Sequence, residues 1–126
     1  MKRVAAALLL LASAIAVAAW SGYVFRKEMD KLSASLNELV DCSETCSDAE
    51  LAEKTDMLLS QWSSSSRLLH SLVIHEGMDE LELNITALPL IIEHSEREEF
   101  RLKCIEAINQ IQSLTLAEKL SLENIL

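Results

Sequence analysis

Glycine, proline and aromatic residues are scarce in this chain of 126 residues. Its glycines are Gly22 and Gly77 and its one proline is Pro89, and aromatic residues make up 4% of the chain. Sheets joined by tight turns need more residues that reverse the chain, so the composition argues against a β-rich fold. Leucine, alanine, glutamate and serine are abundant instead, which favours an all-α fold.

A basic stripe is also missing, and the charge balance is acidic. The part of the chain after Phe25 has twenty acidic and nine basic residues, for a net charge of −11. A surface of this sign repels nucleic acid and anionic lipid headgroups. We therefore expect no nucleic-acid partner.

An uncharged run extends from Val4 to Phe25, with basic residues on both sides. Its twenty-two residues would reach about 33 Å as a helix, slightly more than the ~30 Å hydrocarbon core of a bilayer. Residues 4–25 are therefore predicted to cross a lipid bilayer once, with Trp20 and Tyr23 near one interface. The implied location is the cell membrane.

The same run has a second interpretation as an export signal. A short basic start, an apolar middle and the sequence Ala16-Val17-Ala18 resemble a cleavable signal, but the apolar run continues beyond Ala18. We favour retention as an anchor, residues 1–27, followed by one acidic helical domain, residues 28–126. The resemblance of the basic tail to a signal start places that domain outside the cytoplasm.

Apolar residues recur in steps of three and four and predict helices. The first helix is expected to continue from the membrane to about Val40, giving an N-terminal transmembrane helix that leads into an up-and-down antiparallel bundle. Ser47 with Glu50 forms a capping box that starts a second helix, which should run through the serines to about His75. Gly77 is predicted to end it, because glycine readily adopts the left-handed terminal conformation.

The third helix has an unusually wide apolar face, which suggests either a central position in the bundle or a surface left for another protein. We favour the central position. A capping box at Ser95 predicts a fourth helix, and Thr115 with Glu118 predicts a separate short tail helix. The candidate partner interface combines residues of the third helix and the tail: Leu83, Leu90, Ile91, Leu122, Ile125 and Leu126.

One polar cluster could hold a divalent metal, since imidazole and carboxylate groups recur at helical spacing. Its members are His75, Glu76, Asp79 and Glu82. The second histidine that a zinc protease helix needs four residues after His75 is replaced by Asp79, and the Glu-x-x-His motif of di-iron bundles is absent. We therefore favour a solvated acidic face at a helix start and predict no metal and no cofactor.

The three cysteines allow two arrangements. Cys42 and Cys46 could pair in an exported domain if the turn between them is non-helical, leaving Cys104 as a buried thiol. The alternative, which we favour, is three free thiols. Neither a Cys-x-x-Cys pair nor a nucleophile elbow nor a glycine-rich phosphate loop is present, so an enzyme is not indicated.

Small residues in the apolar run could bring two copies together. Ala14, Ala18 and Gly22 recur at every fourth position and form a ridge on which two membrane helices can approach closely. The ridge makes a homodimer a candidate arrangement.

The order of these features resembles a known family. The residues that carry the resemblance are the basic start with one apolar helix, Trp62 in a long helix, the segment from His75 to Leu83, and the end Asn124-Ile125-Leu126. The chain is similar to a bacterial family of short anchored helical proteins, domain-of-unknown-function family four-three-six-three. The resemblance implies a bacterial envelope protein of no known activity that works beside another small membrane protein.

Two functions are consistent with these patterns. The first is a non-enzymatic interaction or accessory module that binds another membrane or envelope protein. The second is an extracytoplasmic bundle that senses a ligand or a metal and signals through a partner, since the chain has no output domain of its own.

Overall fold

Four α-helices make up the computed structural model, which describes residues 1–72, 77–94 and 96–125. α1 spans Lys2–Thr45, α2 spans Asp48–Leu72, α3 spans Gly77–Glu93 and α4 spans Arg97–Ile125. Within those ranges no strand occurs, and the predicted all-α fold is confirmed.

α1 is a single helix of 44 residues that carries the apolar run straight into the bundle. Its buried side chains keep the predicted steps of three and four through Met29, Leu32, Leu36 and Leu39. The predicted continuation to about Val40 is confirmed, and the helix extends a further turn to Thr45.

α2 begins where the capping box predicts. The Ser47 hydroxyl accepts a hydrogen bond from the Glu50 backbone N–H at 3.3 Å, which satisfies one of the free donors of the first turn. The helix then runs without interruption through the serines at residues 63–66, because Trp62, Ser65 and Leu69 keep one buried face in phase across them. Residues 73–75, where we expected this helix to end, lie outside the described ranges.

The helices pack in a ring, with α1 against α2, α2 against α3, α3 against α4, and α4 against α1. Short connections between consecutive helices give an up-and-down topology. Each helix contributes one apolar stripe to the shared core, and the larger buried side chains are Phe25, Met29, Leu36, Leu58, Trp62, Leu81, Ile85 and Phe100.

Polar pairs between α1 and α2 fix their antiparallel register. The Ser65 hydroxyl donates to the Glu28 carboxylate at 2.6 Å, and the Ser35 hydroxyl donates to the Gln61 side-chain oxygen at 2.8 Å. As the residue number rises on α1 it falls on α2, which is what antiparallel helices require. Ser65 is buried, and its hydroxyl is satisfied by this partner.

The predicted role of Gly77 is wrong. Gly77 is the first residue of α3 and not the end of α2. A Cβ atom at this position would lie 2.8 Å from the Cδ2 atom of Leu114, closer than two carbon atoms can pack. The glycine therefore leaves room for the end of the Leu114 side chain of α4.

The predicted tail helix is also wrong, because α4 runs from Arg97 to Ile125 without a break. The Thr115 hydroxyl donates to the Ile111 carbonyl at 2.8 Å, a bond within the helix and not a cap. Ser95, which we expected to cap α4, lies outside the described residues. The predicted inner face of α4 is confirmed by the burial of Phe100, Cys104 and Ala107.

α3 does not occupy the centre of the bundle. It packs against α2 and α4 and lies diagonally across from α1, so part of its wide apolar face remains in solvent. Of the two interpretations of that face, the one we favoured is wrong. The face is left open as an exposed stripe.

The core of the bundle begins before residue 28, the boundary that the sequence suggested. Gly22 and Phe25 are both buried, and Phe25 has no exposed surface. The last turn of the apolar run therefore belongs to the bundle.

Candidate functional site

The first candidate site is the N-terminal part of α1, residues 2–21, which projects beyond the bundle; we call it the apolar arm. Its most apolar stretch has no buried residue. In the described part of the chain, α1 is the one helix long and apolar enough to cross a membrane. A membrane anchor and a signal sequence share these features.

Aromatic and basic side chains surround the point where the arm meets the bundle. Trp20 and Tyr23 are more than half exposed, and Arg26 and Lys27 are exposed one turn further on. Aromatic rings followed by cations are typical of the region where a helix passes from hydrocarbon to headgroups.

The candidate dimer ridge is only partly available to a second copy. Ala14 is exposed and Ala18 is half-buried, whereas Gly22 is buried by the chain's own bundle. A dimer through this ridge would therefore rest on Ala14 and Ala18, and it stays a prediction.

The second candidate site lies at the opposite end of the bundle, where a disulfide joins Cys42 and Cys46. Cys42 is still inside α1, while Cys46 follows the last helical residue and has an extended backbone, with φ −89° and ψ 158°. The non-helical turn that we expected between them is wrong: the Cys46 backbone N–H donates to the Cys42 carbonyl at 2.8 Å in a helical turn, and the two Cα atoms lie 4.8 Å apart, within disulfide range. The structure thus has the paired arrangement and not three free thiols.

Arg97 connects this corner to the rest of the bundle. Its guanidinium donates to the Ser43 carbonyl at 3.1 Å, to the Cys46 carbonyl at 2.8 Å and to the Asp48 carboxylate at 2.6 Å. The first two acceptors belong to the free carbonyls at the end of α1, and the third lies at the start of α2. One side chain from α4 therefore holds the α1–α2 connection in place.

Cys104 is the free thiol in the described part of the chain, and it is buried in the core. Burial disfavours the thiolate and raises the pKa of this group to about 12. The thiolate, which is the reactive form, is therefore nearly absent at neutral pH.

We expect Cys104 to resist alkylation in the folded protein. At pH 8 its thiolate population should be roughly a thousandfold below that of an ordinary cysteine. Mass spectrometry after maleimide treatment should show no added label on the native protein, one label after denaturation without reductant, and three after reduction. Rapid labelling of the native protein would contradict the burial of this thiol.

The third candidate site is the exposed apolar face of α3, formed by Leu83, Ala87, Leu90 and Ile91; we call it the α3 stripe. Leu83 is 69% exposed and Leu90 is 61% exposed, whereas Ala87 and Ile91 are half-buried. The two leucines are seven positions apart and therefore lie on the same side of the helix. Leu83 and Leu90 of the predicted interface therefore lie at the surface.

The remaining predicted interface residues are Leu122 and Ile125 of α4, and Leu126. The side chains of Leu122 and Ile125, and the whole of Leu126, lie outside the described part of the structure.

The candidate metal cluster, at which we predicted no metal, cannot be assembled from the described residues alone. His75 and Glu76 lie outside them, while Asp79 is exposed and Glu82 is half-buried on α3. Among the described side chains no group of three or more metal-ligating residues comes together.

Sequence reasoning missed Arg97, because its three acceptors are about fifty positions away along the chain. It also missed the exposure of Leu116 and Leu120 on α4, which it assigned to a separate tail helix. A helical phase carried on past Thr115 would have placed both leucines outside the buried stripe.

The fold and these surfaces define a small antiparallel helical bundle with a projecting apolar arm. The chain belongs to the family described as Domain of unknown function (DUF4363), whose family model matches residues 19–125. This match confirms the family that the sequence resembles. No curated protein and no solved structure gives a significant match.

Proposed function

We propose that this protein is a single-pass, membrane-anchored helical bundle that acts without catalysis as an interaction or accessory module of the bacterial cell envelope. The apolar arm supplies the anchor and the α3 stripe supplies the binding surface. The family is known only as a domain of unknown function, so the argument rests on the geometry of these two features.

Anchoring is supported by the continuity of α1. The arm and the first core helix of the bundle are one helix, so a lipid-embedded arm would hold the bundle at the membrane without a flexible linker. Cleavage after Ala18 would instead remove most of the arm and leave the first buried residue, Gly22, in place. N-terminal sequencing of the mature protein distinguishes an anchor from a signal.

An extracytoplasmic position is supported by the disulfide between Cys42 and Cys46. Disulfides persist in oxidising compartments and are rare where thiol buffers keep cysteines reduced. The bundle therefore faces the outside, with the short basic N-terminus on the cytoplasmic side.

The open α3 stripe is the observation that carries the proposed binding role. Leu83 and Leu90 lie exposed on the same side of α3, as the anchors of a helix-in-groove interface do. α3 has four acidic residues, Asp79, Glu80, Glu82 and Glu93, and no lysine or arginine along its length. Its charge therefore complements a partner helix in which apolar residues are flanked by lysine or arginine.

Photo-crosslinking in intact membranes tests this role. A photoreactive residue in place of Leu83 or Leu90 is expected to yield a cross-linked product with another membrane protein. The matched control is the same replacement at Leu102, a leucine of similar exposure on α4.

A cross-link of equal yield from position 102, or recovery of uncross-linked monomer from all three positions, would contradict a partner site on α3. As a second measurement, Leu83→Glu together with Leu90→Glu should abolish the cross-linked product at the neighbouring position 87 while leaving the helical circular dichroism unchanged. Both leucines are exposed, so these changes cost the fold little.

A further inference from the structure

The end of the bundle next to the apolar arm is called the basal end here. It contains the start of the packed part of α1 and the last turns of α4. An ion pair at the other end, between the Arg101 guanidinium and the Glu44 carboxylate at 3.3 Å, aligns the two antiparallel helices. Nineteen residues from this pair toward the basal end, forward along α4 and backward along α1, lie Leu120 and Phe25. Both helices have then travelled about 28 Å, so Leu120 is level with Phe25.

Leu116 and Leu120 are exposed at this end, although leucine is ordinarily a core residue. They are 57% and 52% exposed and one helical turn apart, so they form one apolar surface on α4. On α1, Trp20 and Tyr23 are exposed in the same zone. Large apolar side chains from two neighbouring helices therefore collect around the point where the arm leaves the bundle.

The arm determines how far this surface lies from a bilayer. If α1 crosses a membrane, about 30 Å of helix is used by residues 4–23, most of the arm and the two residues that follow it. Leu120 then lies about 3 Å beyond the hydrocarbon boundary and Leu116 about 9 Å beyond it. The headgroup layer is itself about 5–7.5 Å thick on each side, so Leu120 falls inside it and Leu116 lies just outside it.

The basal end has charges of both signs. Arg26 and Lys27 follow the arm and Lys119 is exposed between the two leucines, while Asp30, Glu123 and the acidic first turn of α3 are exposed at the same end. The acidic first turns of α2 and α4, with Asp48 and Glu98, lie at the opposite end of the bundle. The overall negative charge that repels anionic headgroups is therefore weighted toward the end away from the arm.

We propose that the basal end of the bundle rests on the lipid headgroups, with Leu120 entering the interface, Leu116 just above it, and Lys119 meeting lipid phosphates. This inference rests on the proposed anchoring, because α1 holds the basal end against the bilayer only if the arm is embedded. The bundle would then have two attachments to the membrane, one through α1 and one through α4.

Fluorescence of single labels in the full chain tests the contact. Leu120→Cys, Leu116→Cys and Leu102→Cys are each labelled with an environment-sensitive dye, under non-reducing conditions that keep the native disulfide closed. The labelled proteins are reconstituted in vesicles of phosphatidylethanolamine and phosphatidylglycerol. Leu102 is the matched control, because it is a leucine of similar exposure on the same face of α4. It lies two heptads from Leu116, on the side away from the arm. The parent protein without an added cysteine gives the background.

The label at position 120 should shift its emission to the blue and lose most of its fluorescence when lipids with a headgroup quencher are included. The label at position 116 should respond less, and the label at position 102 should not respond. Equal responses at positions 120 and 102 would overturn the lipid contact. A blue shift at position 120 without quenching by lipid would also overturn it and would indicate protein cover from a partner or a second copy.

Flotation of the same vesicles after alkaline extraction separates this inference from the proposed function. A protein that fails to float with the lipid would refute anchoring itself. If it floats but shows no difference between positions 120 and 102, anchoring stands and the contact through α4 fails.

Discussion

Replacing Phe25 by alanine is expected to lower the free energy of unfolding of the bundle by about 3–5 kcal/mol. Phe25 belongs to the apolar run, yet its side chain is completely buried in the core. The substitution would remove a large buried ring and leave a cavity between helices that cannot fully close. Against a total stability of about 5–15 kcal/mol for a domain of this kind, the loss is large. Urea unfolding of the full chain in mild detergent, followed by circular dichroism, measures it.

Tyr23→Ala is the matched control for this prediction. Tyr23 lies two positions earlier in the same run and is 58% exposed, so its loss should change the stability of the bundle by less than about 1 kcal/mol. If both variants unfold at the same urea concentration as the parent protein, Phe25 does not contribute to the core.

Replacing Arg97 by alanine is expected to lower the free energy of unfolding by about 2 kcal/mol, the scale of hydrogen bonds made by a charged group. The variant would leave the Ser43 and Cys46 carbonyls at the end of α1 without this donor and would release Asp48. Arg97→Lys should recover less than half of the loss, because one ammonium group cannot reproduce the planar fork of a guanidinium. The same urea titration measures both variants.

Arg101 gives the control, since it lies one helical turn further along α4 and makes an ion pair with Glu44 at 3.3 Å. Both side chains of this pair are about half exposed, so Arg101→Ala should cost less than about 1 kcal/mol. Equal losses from Arg97→Ala and Arg101→Ala would show that Arg97 acts as an ordinary surface charge and not as the tie between the α1–α2 connection and α4.

The helices and their buried faces could be predicted because that information is local. The period of the helix alone is enough to predict a buried stripe such as Leu51, Leu58 and Leu69. Polar residues in the same phase are buried with them. The helical phase accounts for the burial of Ser65, but it cannot show that the hydroxyl is satisfied there by Glu28, thirty-seven positions away.

The errors concern signals that have two physical meanings. Glycine can end a helix, but Gly77 begins one and provides room for Leu114, a contact that depends on how α3 and α4 pack. A threonine three positions before a glutamate can cap a helix, but Thr115 bonds back to Ile111 within a continuous one. In each case the tertiary contact decided between two locally acceptable conformations.

The candidate surfaces were predictable to different degrees. The width of the apolar face on α3 indicated Leu83 and Leu90, but a width does not say how many neighbours a helix has. The ring arrangement of the four helices left that face partly open, and the sequence alone could not choose it over a central position. The Arg97 contacts are of the same kind, because they join three segments that only the fold brings together.

Because the backbone of α1 is unbroken, the bundle would tilt together with the part of α1 that lies in the bilayer. From Gly22 to Thr45 the helix extends about 36 Å, and a long helix curves only gently unless its hydrogen bonds are interrupted. With the arm embedded, a tilt of about 20°, common for membrane helices, would move the disulfide corner sideways by about 12 Å. Because tilt adjusts a helix to the thickness of its bilayer, a change in membrane thickness would then shift the far end of the bundle relative to the membrane.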